Sequence, residues 1–185
     1  MNREPYDMTL AELADKFAAT AIYPQERELE YLMLGLLSEV GETANVYKKA
    51  IRDDDGVITA ERSERLADEI GDVLWYATLH AFKVAEATEA EGARKLYDVA
   101  ASALNREPRN PGQVILDLAA WAALDNPEEF DSLSGLTLVS ELVRSLRLRA
   151  ERGDLLTVSS IASGVLAKLA SRQERGTLQG SGDKR

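Results

Sequence analysis

The chain has 185 residues, a length that fits one domain with a sizeable hydrophobic core. Hydrophobic residues make up 45% of it and charged residues 29%, as in globular proteins, and a net charge of −10 argues against nucleic-acid binding. The absence of cysteine excludes disulfides and thiolate zinc sites. No apolar run approaches the ~18 residues of a membrane span, and the N-terminus lacks a signal-peptide pattern. We therefore expect an intracellular protein that binds no membrane.

Helix-forming residues dominate the first half of the chain, and alternating strand patterns are nearly absent. Thr9 and Glu12 form a capping box that predicts a first helix, which ends before Pro24. A long second helix is predicted over about 25–52, ending in the turn sequence RDDDG. A third helix is capped by Thr59 and runs into the mid-80s. The sequence thus predicts an all-α fold.

The second half of the chain continues this pattern after a break at 105–112. Further helices are predicted over 113–124, after Pro127 with Asn126 as its cap, over 134–150 and over 157–176. The closing residues 177–185 are a polar, glycine-rich tail. We treat 1–185 as a single all-α domain.

Two pairs of acids lie inside apolar helical stretches. Glu39 and Glu42 are three residues apart, and so are Glu69 and Asp72. Residues at this spacing are neighbours on one face of a helix. No lysine or arginine stands four residues from Glu39 to neutralise it, and carboxylates among apolar residues are unfavourable without a partner.

If the RDDDG turn makes the second and third helices antiparallel, the two acidic pairs face each other. Four carboxylates in a small volume suit two divalent cations, and oxygen ligands without cysteine favour Mg²⁺ or Mn²⁺. The alternative is that the acids pair with arginines from elsewhere in the fold. Spacing alone leaves both interpretations open.

The order E-x-x-E, 26 residues, then E-x-x-D resembles the signature of the all-α nucleoside triphosphate pyrophosphohydrolases. The stretches GLLSEVGETANVYKKAIR and RLADEIGDVLWYATLHA resemble the MazG-like members, and the C-terminal LAKLASRQERGTLQGSGDKR is similar to the tail of many small bacterial and phage members. The resemblance implies an antiparallel helical bundle that hydrolyses (d)NTP to (d)NMP and pyrophosphate by water attack at the α-phosphate. Glu39, Glu42, Glu69 and Asp72 would be the catalytic metal ligands, and one of them the general base. It also implies the cytoplasm of a bacterial or phage-infected cell.

The resemblance further suggests residues that bind the nucleoside triphosphate: Lys48, Lys49, Arg52, Tyr76, Tyr23, Arg172, Arg175, Lys184 and Arg185. Each has a structural alternative. The basic residues of the second helix are also what the dipole favours at any helix C-terminus. Tyr76 is alternatively an aromatic residue at the edge of the core, and Tyr23 a hydrophobic staple residue. The tail is alternatively a disordered basic terminus. For His80 we expect a surface or core-edge role, and for Trp75 and Trp121 a place in the core.

The chain departs from the MazG-like pattern in two places. Residues 82–153 form a helical insertion before the last helix, where small relatives have a short turn. Val165 stands where relatives often have asparagine near the substrate. We also expect a homodimer, because a lone bundle of this kind often leaves an apolar face open.

Two alternative functions stay open at this stage. One is a pyrophosphohydrolase restricted to dUTP, dCTP or phosphoribosyl-ATP. The other is a non-catalytic helical interaction module whose acidic pairs are a relic or a structural cation site.

Overall fold

A computed structural model of the chain describes residues 7–84, 87–104, 107–123 and 133–176. These residues form eight α-helices and one short 3-10 helix, Gln25–Arg27. The α-helices are α1 Leu10–Ala18, α2 Glu28–Asp53, α3 Ala60–Lys83, α4 Glu89–Gly92, α5 Leu96–Leu104, α6 Pro111–Ala122, α7 Ser134–Arg147 and α8 Val158–Glu174. The predicted all-α fold is confirmed, and strand-like pairing in the described residues is limited to two isolated bridges.

The long helices begin and end within a few residues of the predicted bounds. Their caps are formed by residues only a few positions apart, which can be recognised in the sequence. Thr9 and Glu12 form the predicted capping box, and Thr59 caps α3 by accepting a hydrogen bond from the backbone of Arg62. The short helices α4 and α5 were not predicted separately and lie inside the predicted helical insertion. The helix predicted after Pro127 falls outside the described residues.

A tight turn folds α3 back along α2. Asp55 and Gly56 have positive φ angles of 52° and 81°, in the left-handed region that glycine adopts readily. Arg62 closes the turn by donating from Nε to Asp54 at 2.5 Å and from Nη2 to Asp53 at 3.1 Å. The two helices are therefore antiparallel, as the RDDDG turn predicted.

Helix α3 is central and packs against α1, α2, α7 and α8. The fully buried Leu66, Ile70 and Leu79 anchor it in a hydrophobic core to which the other long helices contribute. Burial of such side chains, each about 1.5–3 kcal/mol relative to exposure, favours this arrangement. None of the helices in the described residues combines the length and the hydrophobicity that crossing a bilayer requires.

Helices α6 and α7 lie within the predicted insertion and bury apolar residues such as Leu118 and Leu142. Gly135 allows their close approach, because a Cβ there would stand 2.2 Å from the ring of Trp121. Trp121 is buried, as predicted, and its ring centroid lies 5.0 Å from that of His80. His80 is only 8% exposed, so it lies deeper in the core than we expected from the sequence.

Candidate active site

The four predicted acids lie on the facing sides of α2 and α3, and all are partly buried. Burial, followed by the charges of Asp72 and Glu69, raises the pKa of Glu39 to about 7. Burial, followed by the charges of Glu42 and Asp72, raises the pKa of Glu69. Glu39 therefore interacts most strongly with Asp72, and Glu69 with Glu42. The two pairs predicted from their spacing form one acidic cluster across the α2–α3 hairpin.

One cation reaches the acidic cluster from the last helix. The Nζ atom of Lys168 in α8 donates to both carboxylate oxygens of Asp72, at 2.6 and 2.9 Å. Lys168 lowers the pKa of Glu39 and Glu69, and Arg65 lowers that of Glu69, yet both values remain raised. The alternative interpretation named arginines as the partners of the acids, whereas the partner of Asp72 is a lysine. Burial is the first cause of both raised pKa values, and repulsion from the neighbouring acids adds to it.

A close contact between α3 and α8 positions this lysine. A Cβ on Gly71 would stand 2.7 Å from Cγ2 of Val165, so these helices approach each other where α3 has no side chain. Lys168 follows Val165 by nearly one turn, and Asp72 follows Gly71 directly. The small residue in α3 therefore brings α8 close enough for the ion pair. Val165 is buried at this contact.

Tyr76 lies one turn beyond Asp72, beside the acids. Its ring occupies the space over Gly35, where a Cβ would stand 2.2 Å from Cε1. Burial is the first cause of its raised pKa, followed by the charge and the hydrogen bond of Tyr31 and then by the charges of Glu39 and Asp72. The phenol hydroxyl therefore stays protonated beside the carboxylates, and it already forms a hydrogen bond with Tyr31.

Tyr31 connects the two tyrosines predicted from the sequence. Its ring stacks on that of Tyr23 with centroids 4.8 Å apart, and lies 6.3 Å from that of Tyr76. The three rings form an aromatic row that leads away from the acids, and Tyr31 is 40% exposed within it. Such a surface can stack against a flat ring system.

The predicted basic residues of α2 lie farther along the helix. Lys48 and Lys49 follow Glu42 by six and seven residues, which is roughly 9–10 Å along the axis at 1.5 Å per residue. Arg52 donates two hydrogen bonds to the carboxylate of Asp53, at 2.6 and 2.9 Å. Arg52 is thus engaged at the end of α2.

The predicted basic residues of the C-terminal part lie at different places relative to Lys168. Arg172 is partly buried one turn after Lys168, on the same face of α8. Arg175 is exposed and caps the end of α8. Lys184 and Arg185 lie outside the described residues.

The chemistry of the cluster fits a hard divalent cation, because carboxylate oxygens are the ligands that Mg²⁺ and Mn²⁺ prefer. As the side chains stand, no three acidic or histidine residues in the described ranges form a ready ligand set for a metal ion. Both oxygens of Asp72 accept hydrogen bonds from Lys168. A cation at this cluster would have to compete with Lys168 for Asp72.

Sequence reasoning missed two residues of this site, Lys168 and Tyr31. A signal for each is present in the sequence. Tyr31, Gly35 and Glu39 recur at four-residue intervals on one stripe of α2, and Lys168 lies four residues before Arg172 on one stripe of α8. The helical spacing along these two stripes would have identified both residues as candidates for the site.

Residues 27–111 match the family model of the MazG nucleotide pyrophosphohydrolase domain. The chain is 49% identical over 63 residues to the Gene 37 protein of Mycobacterium phage L5, an alignment that covers 31% of this chain and 55% of that protein. The chain thus spans about half the length of this curated relative. No solved structure matches it. The segment 27–111, which holds both acidic pairs, is MazG-like, and this confirms the resemblance predicted from its motifs.

Proposed function

We propose that this chain is a Mg²⁺-dependent nucleoside triphosphate pyrophosphohydrolase, which converts (d)NTP and water to (d)NMP and pyrophosphate. One observation carries the proposal: within a MazG-like segment, Glu39 faces Asp72 and Glu42 faces Glu69 across α2 and α3, with raised pKa values at Glu39 and Glu69. Acids gathered in one partly buried cluster, with pKa values raised by burial and by mutual repulsion, are a feature of functional sites.

Glu39, Glu42, Glu69 and Asp72 would hold the cation, Mg²⁺ or in its place Mn²⁺. When bound, it would offset the charge of the triphosphate and lower the pKa of the attacking water. One of the four carboxylates would accept the proton of that water as it attacks the α-phosphorus. The bond from this phosphorus to the oxygen that bridges to the β-phosphate breaks, and pyrophosphate leaves.

The other residues would bind and orient the nucleotide. Tyr76 stands beside the acids, where its hydroxyl can donate to a phosphate oxygen, and the aromatic row through Tyr31 to Tyr23 offers a stacking surface for the base. Lys168 donates a hydrogen bond to Asp72. When a cation binds Asp72 instead, the ammonium group of Lys168 would be released to bind the triphosphate. Lys49 and Arg172 would add positive charge at the edge of the site.

We also propose that the protein works as a homodimer. Support comes from α2, where Leu29, Leu34 and Leu37 are 49%, 60% and 41% exposed. They line an open groove that also includes Ala122 and Ala123 at the end of α6 and three charged residues, Glu26, Arg27 and Glu30. Covering such a surface is favourable, and a second copy of the chain would do so.

The test is pyrophosphate release with Mg²⁺ from a panel of NTPs, dNTPs and phosphoribosyl-ATP. We expect release by the wild type, and a loss of at least about 10³-fold in Glu39→Gln, since the amide lacks the charge needed to hold a cation. Glu64→Gln is the matched control, because Glu64 is exposed on α3 and interacts with Arg152. Release by wild type and Glu39→Gln alike, or by neither, would contradict the proposal. The panel also separates a broad enzyme from one restricted to dUTP, dCTP or phosphoribosyl-ATP.

A further inference from the structure

A second cavity lies between α5, α7 and the start of α8, and none of the residues predicted for the active site lines it. It has a volume of about 160 Å³. Its walls are mostly apolar and include Leu96, Ala100, Val143, Leu156 and Val158. Three of these residues belong to the buried core, so this part of the cavity wall is formed by packed side chains: Leu96, Val143 and Leu156.

Two arginines of α7, Arg144 and Arg147, stand at this cavity. Arg147 is exposed and forms no ion pair with any carboxylate of the described ranges, in a chain whose net charge is −10. Neighbouring Arg152, by contrast, pairs with Asp154 at 2.8 Å. Arg147 therefore places an exposed positive charge beside an apolar cavity.

We infer that this cavity binds a small organic anion with an apolar body, such as an aromatic carboxylate. The apolar body would contact Leu96, Val143 and Leu156, and removal of that surface from water favours binding. The anionic group would face Arg144 and Arg147, since a guanidinium binds carboxylate groups with two hydrogen bonds. The exposed ring of Tyr97 adds a stacking surface at the opening.

This cavity is separate from the acidic cluster, although both adjoin α8. Val158 lines the cavity, and Lys168 is ten residues farther along the helix, roughly 15 Å at 1.5 Å per residue. The helix α7 that carries both arginines lies beyond the MazG-like segment 27–111. The inference is therefore independent of the proposed hydrolysis.

The test uses 2-naphthoate as the probe and measures its affinity for the full chain by isothermal titration calorimetry. We expect saturable binding of one molecule. Two variants remove different parts of the site: Arg147→Met removes the charge, and Ala100→Leu fills the cavity. Each should weaken binding at least about tenfold, which corresponds to about 1.4 kcal/mol. The neutral 2-naphthamide should bind more weakly than 2-naphthoate.

Two controls show whether the probe binds at this cavity or elsewhere on the protein. Arg152→Met removes a paired arginine outside the cavity, and Glu39→Gln alters the acidic cluster; both should bind 2-naphthoate like the wild type. No saturable binding to the wild type would overturn the inference. Equal affinities in Arg147→Met, Ala100→Leu and the wild type, or equal affinities for the acid and the amide, would also overturn it.

Discussion

Two groups of carboxylates in this molecule are organised in opposite ways. Between α6 and α7, Arg109 donates to Asp117 and, at 3.2 Å, to the buried Glu141. The hydrogen bond from Arg109 lowers the pKa of Asp117. In the acidic cluster of α2 and α3, by contrast, burial and neighbouring acids raise the pKa of Glu39 to about 7.

The two groups of carboxylates differ in how their negative charge is balanced. The α6–α7 group places one guanidinium between two acids and stabilises the charged form of Asp117. The α2–α3 cluster gathers four acids, and the lysine that reaches it does not bring the pKa values of Glu39 and Glu69 back to normal. A cluster of the first kind holds helices together, and one of the second kind is suited to take up a cation.

The largest effect on stability is expected from the α6–α7 group. Arg109→Met removes the guanidinium that bonds to Glu141 and Asp117, and should lower the free energy of unfolding by about 2 kcal/mol, the range for hydrogen bonds to charged groups. Urea denaturation measures this change. The exposed Arg152→Met is the control and should change stability little. Equal midpoints for the two variants would show that the α6–α7 group contributes nothing specific.

In the acidic cluster, by contrast, ionisation of a carboxyl group should lower the stability of the fold. The pKa of Glu39 is higher in the folded protein, about 7, than its ordinary value of 4.5, so the folded state binds more protons between these pH values. Stability in the presence of a chelator should therefore fall as the pH rises from about 4.5 to 7. Because Glu39 is half-exposed, we expect its share to be only about 1 kcal/mol.

This prediction is measured as the thermal unfolding midpoint of wild type and Glu39→Gln between pH 4.5 and 8. The variant should lose less stability over this range, since the amide does not ionise. Parallel profiles for the two proteins would mean that Glu39 is not held in a repulsive environment. For Asp117 the sign is reversed, because its lowered pKa stabilises the fold above its ordinary value and that stability is lost on acidification.

An effect of similar size, on Mn²⁺ affinity, is expected from the lysine that reaches the cluster. Lys168→Met removes the competitor for Asp72, so Mn²⁺ should bind more tightly, by several-fold or about 1 kcal/mol. Lys83→Met, at the exposed end of α3, is the control. Weaker Mn²⁺ binding in Lys168→Met than in the control would show that the lysine supports the cation site instead of competing for it.

The sequence was sufficient for those features that depend on local spacing. The helices, the capping box of Thr9, the RDDDG turn and the two acidic pairs depend on residues only a few positions apart. Because this turn makes α2 and α3 antiparallel, Glu39 and Asp72 come to face each other. These parts of the fold and the site could be predicted because each is determined within one helix or one hairpin.

Contacts between distant segments could not be predicted in this way. The ion pair of Lys168 and Asp72 joins residues 96 positions apart and depends on the approach of α8 to Gly71. Arg109 and Glu141 meet only because α6 and α7 pack side by side. Spacing along the chain carries no information on which helix packs against which. The partners of buried charges therefore had to come from the structure.

The proposed function requires that the acids of α2 and α3 together bind a divalent cation. Electron paramagnetic resonance of Mn²⁺ measures this binding without substrate, because bound and free ions differ in signal. We predict saturable Mn²⁺ binding that is at least about tenfold weaker in Glu39→Gln, Glu69→Gln and Asp72→Asn, and unchanged in Glu64→Gln. Absence of binding to the wild type, or equal binding by all variants, would contradict it.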